Sequence, residues 1–156
     1  MAWVTEGGTG EGTTLHEWRR LSGSTPFALE RDLPFEGPVL ELHWAPDCAL
    51  FGASADGAGS AYFVLEPGAA SPKPLTIASP VEPRVTADES SVFLVELGAD
   101  LSAVRMLACP RDASAGLLEG ACEPAPVDCA SIGGVAVEAS GAAVFTCDAR
   151  LLAWRP

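Results

Sequence analysis

Two histidines, five cysteines and a scatter of carboxylates are the residues of this chain that bear chemistry, and their spacing limits what each can do. A Ser–His–Asp constellation needs an imidazole within reach of a nucleophile and an orienting carboxylate. His16 lies in the alternating run Leu15-His16-Glu17-Trp18 and reads as a residue of an outer strand. His43, beside Trp44, falls on a segment expected to be an innermost strand, so it is the better placed of the two to face a ligand. Paired carboxylates do acid–base work on sugars, and Glu41, Asp47, Asp88, Glu89 and Glu138 are the candidates. Asp47, Asp88 and Glu89 sit in predicted turns, where short acidic residues serve the backbone instead. No G-x-S-x-G nucleophile elbow is present.

The cysteines are Cys48, Cys109, Cys122, Cys129 and Cys147, and no two form a C-x-x-C pair. Zinc-ribbon and thioredoxin chemistry therefore fall away, and neither a metal nor a cofactor is expected. Cys109, Cys122 and Cys129 cluster in a loop-rich stretch. A disulfide between two of them, with Cys109 and Cys122 as the pair chosen, is expected in an oxidising compartment. Cys48 and Cys147 lie in or beside predicted strands and read as buried thiols. The odd count leaves at least one thiol free or pairing between chains. The glycine-rich stretch Gly7-Gly8-Thr9-Gly10-Glu11-Gly12 lacks the lysine of a phosphate loop and reads as a hairpin turn. Trp3, Trp18, Trp44 and Trp154 mostly fall in alternating apolar patterns, which favours packing over ligand stacking.

Behind these residues lies a regular set of short apolar bursts separated by Gly, Pro, Asp and Ser clusters, the mark of strands and turns. Strands are expected at Ala2–Thr5, Thr14–Leu21, Phe27–Leu33, Val39–Trp44, Ala49–Ser54, Ala61–Leu65 and Leu75–Ala78. They continue at Arg84–Ala87, Val92–Leu97, Ala103–Ala108, Leu117–Glu119, Val135–Glu138, Ala143–Cys147 and Leu151–Trp154. With 16 Gly and 13 Pro, helical stripes are interrupted; Ala113–Cys122 has room for one or two helical turns at most. Three stretches share one pattern of apolar strand, polar turn and Phe-bearing strand. They end at Phe51, Phe93 and Phe145, at intervals of 42 and 52 residues, and Trp3 opens a similar segment 48 residues before Phe51. A period of roughly 40 to 50 residues is that of a β-propeller blade. The expected fold is all-β, a propeller or propeller fragment of about three and a half four-stranded blades. Its divisions are a partial blade at 1–36, blades at 37–80 and 81–128, and a partial blade at 129–156.

Charge narrows the partners. Nine Lys and Arg stand against 21 Asp and Glu, a net charge of −12, and no basic patch exists to neutralise phosphates. Nucleic acid is not an expected partner. No apolar run approaches the ~18 residues of a membrane span, and no D-x-D-x-D-G loop suggests calcium. The N-terminus has no basic region followed by an apolar one, so it does not read as a signal peptide. The expected compartment is cytoplasmic, or periplasmic or extracellular if these residues belong to a longer exported chain, the latter slightly favoured.

Over His43–Glu66 the sequence resembles the WD40-like repeat of TolB-type propellers. The matching residues are Trp44, Pro46-Asp47, Leu50-Phe51, Asp56-Gly57 and Tyr62-Phe63-Val64; Cys48 stands where that family usually has Gly. The resemblance implies blades packed face to face and a role in protein–protein complexes. The expectation is a non-enzymatic binding or scaffolding module for a protein or peptide, seated on one face of the ring or on an unpaired edge strand. Its candidate contact residues are His43, Trp44, Arg84 and Glu138, with Trp44 as anchor and Arg84 as partner of a carboxylate. Two alternatives stand beside it: a hydrolase or lyase using channel carboxylates, and a structural fragment that self-associates through edge strands.

Overall fold

The computed structural model describes residues 2–5, 12–19, 28–35, 37–55, 59–97, 103–112, 116–117 and 120–156. These form fifteen strands and no helix. They are β1 (Ala2–Thr5), β2 (Thr13–Arg19), β3 (Ala28–Phe35), β4 (Val39–Trp44), β5 (Leu50–Ala55), β6 (Ser60–Leu65), β7 (Lys73–Ala78) and β8 (Val85–Ala87). They continue as β9 (Ser91–Leu97), β10 (Val104–Asp112), β11 (Gly116–Leu117), β12 (Glu123–Pro124), β13 (Ile132–Val137), β14 (Ala143–Cys147) and β15 (Arg150–Trp154). Four antiparallel meanders result: β1-β2-β3, β4-β5-β6-β7, β8-β9-β10 with both β11 and β12 on β10, and β13-β14-β15.

Strand alternation explains how the meanders stack. Successive side chains point to opposite faces of a strand, so a sheet between two neighbours must be apolar on both faces. In β5, Leu50 joins Leu15, Leu33 and Leu65 in the core between the first and second sheets, while Phe51 turns the other way. Phe51, Tyr62 and Val64 meet Val92, Leu94 and Leu107 between the second and third sheets. Phe93 and Met106, on the opposite face of that third sheet, meet Phe145 and Ile132 of the fourth. The Trp154 indole packs edge-on against Phe93, centroids 6.3 Å apart. The face of the fourth sheet that points away from this core leaves Leu151 72% exposed. Within the stack, β8 lies against both β4 and β13, so the first strands of three successive sheets are neighbours.

Two of the three Phe-bearing stretches share one turn and diverge after it. In the β4–β5 turn, Ala45 N–H donates to Ala49 O and Cys48 N–H to Ala45 O. In the β13–β14 turn, Glu138 N–H donates to Ala142 O and Gly141 N–H to Glu138 O, the same pattern. Cys48 (φ 71°) and Gly141 (φ 78°) occupy equivalent left-handed positions, which glycine adopts without steric cost. That is why the resemblance asks for Gly at Cys48. Two residues past Ala49 comes Phe51, but two past Ala142 comes Val144; Phe145 is one residue late. A one-residue offset reverses the face of a strand. Phe51 and Phe93 therefore point to the following sheet, and Phe145 points back to the preceding one.

Other expectations need correcting. Cys147 is not a buried thiol: it is joined to Cys129, while Cys109 is joined to Cys122. Cys129 reaches Cys147 because its segment adds a bridge to Val104 on β10 beside the start of β13. Cys48 is a free thiol but an exposed one, because its turn position projects from the sheet. The described part of Ala113–Cys122 contains β11 and a turn, not helix. Of the expected strand Leu117–Glu119, Leu117 lies in β11, which pairs with the end of β10; β12, which carries little apolar signal, also lies on β10, and β10 runs on to Asp112 through Pro110. Pro110 costs nothing there. Arg111 N–H donates to Ser90 O, so residue 110 directs its missing N–H to the other side. On that side the last β12 pair is already Ala108 with Glu123. Of the Gly7–Gly12 hairpin only Gly12 is described, and the Asp56-Gly57 turn and the side chains of Trp3 and Trp18 lie outside the described residues.

Candidate functional site

The strands β4 and β8 run parallel, since Glu41 faces Arg84 and His43 faces Thr86 and Ala87. The stack thus has two ends. One carries the turns 45–49, 88–91 and 138–142. The other carries the connectors 79–84 and 129–131 and the start of β10.

The turn end is closed on itself. Asp88 Oδ1 accepts from the backbone N–H groups of Ser90 (2.8 Å) and Ser91 (2.7 Å), and Asp47 Oδ1 accepts from Ala49 N–H (3.2 Å). Such bonds are the usual reason for aspartate in a turn. Arg111, at the end of β10, ties the two turns together. Its guanidinium donates to Asp47 Oδ2 and to Asp88 O (3.3 Å) and lies 5.1 Å over the Phe51 ring. Its side chain is 1% exposed, and it is the one charged residue that is buried among those described. Burial pushes the Asp47 carboxyl up. The bonds from Arg111 and Ala49 and the guanidinium charge outweigh that and hold it below the usual carboxylate value. Reading the sequence missed Arg111; its only signal is a cation two residues beyond Cys109, near the end of a largely apolar strand.

Along the inner strands the polar groups are committed as well. A carbonyl oxygen can only accept, so His43 Nε2 carries the proton and donates to Ala87 O at 3.1 Å. That bond occupies a carbonyl on the free edge of β8. The Thr86 hydroxyl is 3.5 Å from either ring nitrogen. The Arg84 guanidinium lies 3.9 Å from Glu41 and 3.9 Å from Glu82, and it donates to Pro83 O at 2.8 Å. Burial raises the Glu41 carboxyl above its ordinary value, opposed by the charges of Arg84 and His43. Beneath this strip, the buried Tyr62 hydroxyl donates to Val95 O (2.7 Å) and accepts from Arg84 N–H (3.3 Å). Arg84 O, at 3.2 Å, competes for the same proton and is the more distant acceptor. Burial pushes the Tyr62 phenol up to about 12.

At the connector end lies a hollow of about 370 Å³. Val95, Leu97, Val104 and Ile132 give it apolar walls, with Val81 and Glu82 at its mouth. Val81 is 92% exposed. One wall is held by Asp148, whose Oδ1 accepts from Ala130 N–H (2.9 Å) and Ser131 N–H (3.0 Å), and another by the Tyr62–Val95 bond. The hollow is thus preformed. It is assembled from connectors distant in sequence, so no local pattern announces it.

Of the four residues singled out from sequence, the structure brings His43 and Arg84 to one strip. Trp44, next along β4, points to the opposite face and packs in the core between the first and second sheets. Glu138 stands at the turn end, exposed, accepting from the Ser140 hydroxyl at 3.4 Å. The other candidate histidine, His16, pairs with Asp32 on β3. Among the described residues no three His, Cys, Asp or Glu side chains converge to hold a metal ion. Comparison of the chain with family models, curated proteins and solved structures found no match.

Proposed function

We propose that this chain is a propeller-like stack of blades serving as a non-enzymatic binding module, which recognises a protein or peptide at its connector end. The propeller reading is supported by four successive meanders packed face to face, by the neighbouring first strands and by the shared turn geometry of Cys48 and Gly141. Two disulfides accord with an oxidising compartment. The observation that carries the binding role is the preformed apolar hollow with Val81 exposed at its mouth, of a size that accepts one large side chain. Arg84, 3.9 Å from Glu82, borders the approach, while His43, bonded to Ala87 O, lies toward the turn end. Trp44 acts as packing and Glu138 lies at the far end, so neither is placed in the contact. The test is selection of a random-peptide display library on the immobilised protein. Ala103→Trp, which fills the hollow from its edge, is the control. A peptide consensus that binds the wild type and weakens at least tenfold on the variant, with thermal melting unchanged, is the expected result. Equal binding to both proteins ends this reading.

A second reading rests on Glu41, the carboxyl that burial holds high, beside His43 and Arg84. Raised carboxyls mark acid–base sites. Hydrolysis of chromogenic glycosides with a bell-shaped pH–rate profile, abolished in Glu41→Gln, is what that reading requires.

A further inference from the structure

The hollow and the charges at its mouth together define the partner's chemistry, given the binding role proposed above. Arg84 is a cation paired with Glu82 at the mouth, but it is shared between Glu82 and Glu41, each 3.9 Å away, and its Nη1 also donates to Pro83 O. Two carboxylates against one guanidinium leave the strip with an excess negative charge. Glu82 both lines the hollow and projects into solvent, its side chain 80% exposed. The whole chain carries −12. A carboxylate approaching Arg84 would have to displace two like charges, so the sign expected for the partner from Arg84 alone is reversed. We infer that the connector end binds a basic peptide segment: one large apolar side chain enters the hollow, and a lysine or arginine beside it meets Glu82. The apolar walls supply affinity. The mouth selects the sign of the flanking charge and speeds encounter, as complementary fields do.

An exposed ion pair contributes little, so the charge effect is modest and salt-dependent. The experiment takes the peptide consensus selected on the wild-type protein, labels it, and follows its binding by fluorescence anisotropy at low and high salt. The expected consensus is an apolar residue flanked by Lys or Arg. Glu82→Gln should weaken binding about two- to fivefold, the scale of a surface pair. Arg84→Gln, which frees both carboxylates, should strengthen it by a similar factor. Raising the salt should weaken wild-type binding and narrow both differences. Glu82 is exposed, so its variant tests the charge even if Arg84→Gln alters the fold. A consensus with acidic flanks, or weaker binding by folded Arg84→Gln, overturns the inference. An apolar consensus that depends on the hollow but is indifferent to flanking charge and salt overturns it too, while leaving the binding role standing. If no peptide distinguishes the wild type from Ala103→Trp, the binding role fails and this inference falls with it.

Discussion

At the turn end, Arg111 is buried against Phe51 and bonded to two turns, and Asp47 and Asp88 cap backbone N–H groups beside it. At the connector end, Asp148 and Tyr62 brace the walls from behind, while Val81 and Glu82 stand out in solvent around a hollow. At the turn end a buried cation clasps two turns, with only its Nε left without a partner, whereas the connector end leaves apolar surface open. An end clasped by a buried side chain that bonds two turns holds sheets together. An end that is braced but open at its mouth retains surface for another molecule. The two therefore ought to respond differently to substitution: the turn end in stability, the connector end in local opening and binding.

The largest effect is expected at Arg111. Arg111→Met keeps much of the packing on Phe51 but deletes the bonds to Asp47 and Asp88 O. Breaking a buried pair typically costs more than an exposed one. With Asp47 partly solvated, the expected loss is about 2–4 kcal/mol in urea unfolding. The pH dependence carries a second signature. The folded Asp47 carboxyl titrates below its ordinary value of 3.8. Its contribution is therefore complete above that value and is lost as pH falls through the lower, folded one. Arg111→Met should remove this part of the acid destabilisation. An unchanged stability at neutral pH, with the acid slope intact, would mean that the two turns hold without their clasp.

What the sequence made legible follows the reach of local rules. Strand positions came from alternation and turn residues, because those are short-range signals; β4 and β14 match their expected spans residue for residue. The strand expected to end at Ala108 runs on to Asp112, since a proline is tolerated in a strand when its missing N–H faces an unpaired side. Phe51, Phe93 and Phe145 close the same apolar strand, turn and strand pattern in the sequence. The single-residue slip after Ala142 reverses the third, and spacing alone does not register it. Trp44 reads as a ligand anchor because it lies with His43 on an expected inner strand. Adjacent residues on a strand face opposite ways, so only one of the pair can look toward β8. Arg111 and the hollow were invisible for another reason. Each is defined by groups brought together from separate sheets or connectors, and one chain without its fold carries no record of those meetings.

A smaller effect is expected at the connector end from Tyr62→Phe, which removes one hydroxyl and leaves the ring. Val95 O and Arg84 N–H lose their buried partner, at a cost of about 1–2 kcal/mol. The distinguishing measurement is amide exchange. Arg84 N–H should exchange faster, because it donates to the Tyr62 oxygen, while Ser90 and Ser91, bonded to Asp88 at the opposite end, stay protected. Equal loosening at both ends would show that the stack opens as one unit and that the contrast between its ends is only geometric.

The smallest effect, and the one with the most informative sign, belongs to Glu41. Its folded carboxyl is raised from the ordinary 4.5, with burial as the leading cause. A raised carboxyl favours the protonated form in the folded protein, so stability from this site declines as pH rises from about 4.5 through the folded value. That is the reverse of Asp47, whose contribution grows over the acid range. Glu41→Gln, neutral throughout, should leave the protein slightly more stable at pH 7, within about 0.5 kcal/mol because the group is partly solvated. It should also remove the decline of stability above about pH 4.5, leaving the Asp47 rise at lower pH in place. Loss of stability at neutral pH would show instead that the ionised Glu41 is held by Arg84 more strongly than burial penalises it. The inner strip would then belong with the turn end as a structural clasp, and Arg84 would not be available to tune the charge at the mouth of the hollow.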